Sequence, residues 1–179
     1  MLRAALCTLL LAACAVAPDA DGAGGANPGD TVSAPARPVD VPTAAGAPGA
    51  GEVRHVVYVP VYSRIYLRGE RRTLNLAVTL SIRNTDPEHP LTLSMVQYYN
   101  SAGGFVRGHL RAPVRLAPMA STEYVVPNTD ATGGSGANFI VEWRGTPRVT
   151  EPVIEAVMIG TAGQLGISFT SPGRTLKRP

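Results

Sequence analysis

The sequence predicts an all-β fold: an antiparallel β-sandwich of immunoglobulin-like arrangement, carried on a disordered N-terminal tether. Three observations predict it. Short stretches alternate apolar and polar residues with period two, most clearly Leu74, Leu76, Val78, Leu80 and Ile82 against Asn75, Ala77, Thr79, Ser81 and Arg83. Glycine, proline and asparagine punctuate these stretches at short intervals. No stretch shows an amphipathic helix with capping residues. Roughly eight short strands separated by turns argue a sandwich, with a jelly roll or small barrel as the second architecture.

The chain begins MLRAALCTLLLAAC, with Arg3 ahead of an apolar run that ends at Leu11-Ala12-Ala13-Cys14. This is an export signal, too short to span a bilayer as a permanent helix. Its last four residues resemble the bacterial lipobox, in which small residues precede a cysteine that is lipidated and becomes the mature N-terminus. The alternative is an ordinary secretory peptide cut after Ala13 or Ala17. Cys7 and Cys14 are the two cysteines of the chain. The folded part therefore has no disulfide, thiol nucleophile or cysteine metal ligand. Acyl chains on Cys14 would anchor the protein to a membrane. By the rule for Gram-negative lipoproteins, Ala15 directs it to the outer membrane, facing the periplasm, if the host is Gram-negative.

Residues 15–51 are rich in alanine, proline, glycine and aspartate and hold no aromatic residue. Such a segment cannot bury enough apolar area to offset its ordering entropy. It reads as a flexible tether spanning about 35 Å as a random coil. Residues 52–174 then form one domain of ordinary size, followed by a frayed tail at 175–179. The net charge is +3, and Lys177 is the one lysine. The arginines are scattered, without the basic stripe or motif of a nucleic-acid binder. Arg68, Arg71 and Arg72 form one basic knot at an expected hairpin loop. It reads as a solvated turn or, as the functional alternative, a contact for acidic lipid headgroups or glycans.

The domain opens with the β-rich run His55–Tyr66, in which Pro60 marks an edge strand or a bulge. Tyr58, Tyr62 and Tyr66 fall on one side of its alternation and suggest a half-buried aromatic strip. Further strands follow at Leu74–Arg83, Leu91–Asn100, Val106–Leu110, Val114–Leu116, Thr122–Val126, Phe139–Trp143, Val153–Ile159 and Ile167–Thr170. The tail from Pro172 reads as polar and frayed.

The chain is organised around Asp130–Trp143, DATGGSGANFIVEW. Gly133, Gly134 and Gly136 permit positive φ or close backbone approach. Phe139, Val141 and Trp143 then face one side of a strand, Ile140 and Glu142 the other. A tight turn entering a core strand is the simplest account. An anion-binding nest is weaker, because the lysine and helix of a phosphate loop are missing. A G-x-S-x-G nucleophile elbow is excluded by the strand that follows. An oxygen-ligand metal site at Asn128, Asp130 and Asn138 has too few carboxylates. The candidate binding loop is Asp130, Thr132, Ser135 and Asn138, with Tyr98 and Tyr99 as aromatic neighbours.

The runs VPVYSRIY, TLSIRNTD, YYNSAGGFVRGHL, TEYVV, DATGGSGANFIVEW and EPVIEAVMIGT, between Val59 and Thr161, resemble the bacterial domain-of-unknown-function family 3124. The resemblance spans Val56 to Arg174. It implies a small exported or lipidated envelope protein, and it brings no activity with it.

A tethered sandwich points to a binding or assembly module with an envelope protein or glycan partner. A structural or stress-related envelope protein is the second class and a hydrolase the third. His55, His89 and His109 read as surface residues, and Glu123 and Glu142 as carboxylates on solvent-facing strand sides. Nothing pairs them as a glycosidase would require. No catalytic residue, metal or cofactor is expected.

Overall fold

A computed structural model describes residues 51–67, 69 and 71–176. The expected leader (1–14) and the tether through residue 50 lie outside the described residues, as does Arg68. The described chain is an all-β antiparallel sandwich. Its larger sheet joins β1 (Val53–Val61), β5 (Leu91–Tyr99), β6 (Phe105–Gly108), β9 (Ala137–Gly145) and β12 (Arg174–Thr175) in the order β12-β1-β9-β5-β6. A short β7 (Val114–Leu116) also pairs with β5. The second sheet has the order β11-β10-β4-β8, from β4 (Ala77–Arg83), β8 (Ser121–Val126), β10 (Val153–Ala162) and β11 (Leu165–Pro172). A small hairpin, β2 (Arg64–Tyr66) with β3 (Thr73–Asn75), completes the set.

The alternation seen in the sequence becomes the core. Leu76, Val78, Leu80 and Ile82 are fully buried and face Val57, Val59, Phe139, Val141 and Trp143 of the other sheet in one cluster. Fully burying such a side chain contributes about 1.5–3 kcal/mol. Trp143 anchors one end, stacked on His55 with ring centroids 4.4 Å apart. Val56, Met95, Tyr99 and Ile140 form a second buried cluster, with Tyr58 packed against it. They come from the strand positions that alternate with the core-facing ones.

Three expectations for the strands change. The run His55–Tyr66 is not one strand. Ser63 is buried, and its N–H donates to Gly134 O at 3.0 Å, so the chain leaves the sheet after Val61. The tyrosine strip is therefore divided: Tyr58 lies in β1, Tyr62 packs edge-on against Phe169, and Tyr66 is exposed on the hairpin. Pro60 is tolerated because β12 pairs only with Val57 and Tyr58, so β1 has no second neighbour at Pro60. Thr175 and Leu176, expected within a frayed tail of 175–179, are held, and residues 177–179 lie outside the described residues. Thr175 pairs with Val57, and Leu176 N–H donates to Val56 O at 2.7 Å.

The registers set which loops share an end. Val61 lies opposite Ala137, Tyr99 opposite Asn138, Val78 opposite Val126 and Ala77 opposite Ile159. The β2–β3 hairpin, the β5–β6 turn, the segment 127–136 and the β10–β11 turn therefore gather at one end. Val53, where the domain begins, lies at the other.

Candidate functional site

The glycine-rich loop is built as a clasp. A 3-10 turn at Gly134–Gly136 delivers the chain into β9. Gly134 has φ +76°, a conformation that costs other residues strain. Two serines from distant connections, Ser63 between β1 and β2 and Ser101 in the β5–β6 turn, hold this turn. Ser63 donates both its N–H and its hydroxyl to Gly134 O, each at 3.0 Å. Ser101 donates its N–H and its hydroxyl to Gly133 O, each at 2.9 Å, and its Oγ accepts from Gly136 N at 2.8 Å. Gly133 is required for a second reason. A Cβ there would overlap the Tyr98 hydroxyl and lie 2.7 Å from Tyr98 Cζ and 2.8 Å from Ala137 Cβ.

On this base stands the candidate binding set, which the structure divides. Asp130 forms an ion pair with Arg107, and its Oδ1 accepts from Thr132 N at 3.1 Å and Thr132 Oγ1 at 2.5 Å. Thr132 is exposed. Arg107 lies over the Tyr98 ring, 5.9 Å from its centroid. Asp130, Thr132, Arg107 and Tyr98 thus belong together. Tyr98 itself is fully buried beneath the loop, packed on Phe139 at 5.0 Å. Burial pushes its hydroxyl pKa up. Tyr99 is not a neighbour of this group. Successive strand residues point to opposite faces, and Tyr99 joins the second cluster, donating its hydroxyl to Gln97 Oε1 at 2.7 Å. Asn138 lies opposite Tyr99 in the register, away from Asp130. Ser135 is half-buried in the 3-10 turn. Asp130 is committed to an arginine and a threonine, and no group of three or more metal-ligating side chains occurs among the described residues.

Sequence reasoning missed Ser63, Ser101 and Arg107, which meet the loop only through the fold. It also misplaced Glu142. That carboxylate is fully buried rather than solvent-facing. It pairs with Arg54, accepts from Arg144 at 3.2 Å, and accepts from Ser94 Oγ at 2.7 Å. A bulge in β5 between Leu93 and Met95 places Ser94 to do this. Burial works to raise the Glu142 pKa, but Arg54, Ser94 and Arg144 outweigh it and hold the group below the ordinary carboxylate value.

A third polar cluster closes the opposite end. Asp86 is buried and accepts from the N–H groups of Thr150, His89 and Glu88 at 2.7–2.8 Å. These bonds hold its carboxyl far below the usual range. Asn84 Nδ2 donates to the carbonyls of His89 and Ala117, at 2.9 and 3.0 Å. His89 Nδ1 sits 3.1 Å from Asp86. His109, read as a surface residue, is half-buried between Phe139 and Tyr124. Burial and the Arg107 charge lower its pKa.

The fold and loop define an all-β sandwich domain with a clasped loop at one end. The model of a protein family described as "Protein of unknown function (DUF3124)" matches residues 54–176, and the chain belongs to that family. Comparison with curated proteins finds no match. Among solved structures the chain is similar to the crystal structure of Thermotoga maritima 1070, at 13% identity and a TM-score of 0.38. The match covers 67% of this chain and 92% of that one. No helix among the described residues is long and apolar enough to cross a membrane.

Proposed function

We propose that this protein is a lipid-anchored component of the bacterial cell envelope whose sandwich domain works as a binding or assembly module, without catalysis. Lipid on Cys14 would hold it in the membrane, with the domain on the periplasmic side. The loop carrying Asp130 and Thr132 is the contact surface for an envelope protein or glycan.

The observation that carries the binding reading is the clasp. Five hydrogen bonds from Ser63 and Ser101 fix the base of the loop, while Thr132 is left exposed beside the Arg107–Asp130 pair. Polar groups displayed on a rigid base lose little entropy on binding, which is how recognition loops gain affinity. The buried carboxylates support the non-catalytic part. Glu142 and Asp86 are engaged by arginines, a hydroxyl and backbone N–H groups.

Two measurements test the proposal. Labelled palmitate is expected to be incorporated into the wild-type protein in cells and not into Cys14→Ser. Equal labelling of the two contradicts lipidation. A photo-reactive side chain at residue 132, in cells, is expected to give one discrete adduct that weakens with Arg107→Ala. The same adduct from a probe at Arg148, at the other end of the domain, would argue against the loop.

A further inference from the structure

The loop end of the sandwich carries a second surface. Large exposed hydrophobic residues on a soluble protein are ordinary when scattered. Here Tyr62, Tyr66, Ile159 and Leu165 are 39%, 45%, 54% and 71% exposed, and all four lie at or near one end. Tyr62 and Tyr66 flank the start of the β2–β3 hairpin, and Ile159 and Leu165 flank the β10–β11 turn. The two hairpins touch, since the Tyr62 and Phe169 rings are 5.8 Å apart and Gly160 lies against Leu74 and Leu76. The β10–β11 turn is built to project. Leu165 pairs with Ala162 across a two-residue turn, with Gly163 at φ +65°, the geometry of a tight hairpin tip.

Charge accompanies this apolar group. In the β2–β3 loop Arg71 and Arg72 are exposed. The β10–β11 turn, Thr161-Ala-Gly-Gln-Leu-Gly166, has no charge to oppose them.

We infer that this end of the domain is a contact surface for a bilayer rich in anionic phospholipid. Guanidinium groups bond phosphate oxygens in pairs. Tyrosine, with an apolar body and a polar tip, suits the headgroup boundary. Leu165 and Ile159 supply the apolar area that enters beneath it. The β10–β11 tip projects rather than encloses, with open space around Gly163, which suits a lipid surface better than a small soluble ligand. The surface lies beside the Asp130–Thr132 loop and does not use it, so it stands or falls separately from the binding reading above.

The test is vesicle co-sedimentation of the full chain carrying Cys14→Ala, so that no acyl chain contributes. Vesicles of phosphatidylcholine alone are compared with vesicles that also contain phosphatidylglycerol. The leader's apolar run contributes equally to every variant, so the reading is the gain on adding the anionic lipid. That gain is expected to fall at least about twentyfold in R71E/R72E, at about fivefold per arginine, and to fall with added salt. It is expected to fall about tenfold in Leu165→Ser, with thermal unfolding unchanged in both. If the arginine pair reversed to glutamate fails to fold, R71Q/R72Q gives the same comparison. Equal sedimentation on the two vesicle types, or a charge variant that binds like the wild type, overturns the inference. So does a gain that Leu165→Ser leaves intact and that soluble dextran sulfate competes away, because that pattern describes an anionic polymer and not a bilayer.

Discussion

A methyl group on Gly133 would overlap the Tyr98 hydroxyl and press on Ala137 Cβ at 2.8 Å. Overpacking of this kind costs about 1–3 kcal/mol, which is the loss expected for Gly133→Ala in urea unfolding. Tyr98→Phe removes the obstructing oxygen, which has no well-formed hydrogen bond of its own. The double variant is therefore expected to recover part of the loss, and strict additivity would show that the two groups do not meet. The cluster Gly133, Gly134 and Gly136 was legible in the sequence as a turn. Its partners were not, because Ser63 and Ser101 lie 71 and 32 residues from the carbonyls they bond. A lone serine in a short connection gives no local signal that it will clamp a distant turn. Of Tyr98 and Tyr99 the loop meets Tyr98 alone, because period two sends neighbours to opposite faces and the loop touches one face.

At the scale of the element, β9 shows where patterning works and where it misleads. Its alternation assigned Phe139, Val141 and Trp143 to the core, and all three are there. The same logic placed Glu142 in water. But β9 lies between β1 and β5, and neighbours on both sides bury its other face as well. A charge can remain there because β1 supplies Arg54, β9 itself supplies Arg144, and the β5 bulge supplies Ser94. Removing one member of a buried ion cluster leaves the others uncompensated. Glu142→Ala is accordingly expected to cost about 3–5 kcal/mol in urea unfolding. A cost below about 1 kcal/mol would mean that water reaches the cluster freely. The break after Val61 was equally hidden. Nothing in Tyr62-Ser63-Arg64 stops a strand, and Ser63 leaves the sheet because Gly134 O and Leu76 N bond it from elsewhere.

For the whole molecule, the sandwich was legible because both sheets are amphipathic in sequence, as in Leu76 to Ile82. The pairing order was not, since each ladder joins strands by contacts that leave no trace in either strand alone. The polar clusters also give the domain an acid response. Asp86 and Glu142 have pKa values lowered on folding. Their stabilisation is present above the ordinary carboxylate range and is lost as pH falls through it, because the unfolded chain takes up protons first. His109 is also lowered, so its contribution begins to fade at higher pH, as the unfolded imidazole protonates near 6.5. Stability is expected to fall in two stages on acidification. His109→Phe should remove the upper one, and an unchanged upper stage would place the titrating group elsewhere.

The glycine turn is a clasp, with Ser63 and Ser101 belonging to the fold and Thr132 to the displayed surface. Urea unfolding of Ser101→Ala beside Thr132→Ala tests it most directly. Ser101→Ala strips the hydroxyl bonds to Gly133 O and Gly136 N and is expected to lose about 1–3 kcal/mol. Thr132→Ala is expected to stay within about 0.5 kcal/mol of wild type. Equal losses, or a larger loss at Thr132, would contradict this division between base and surface.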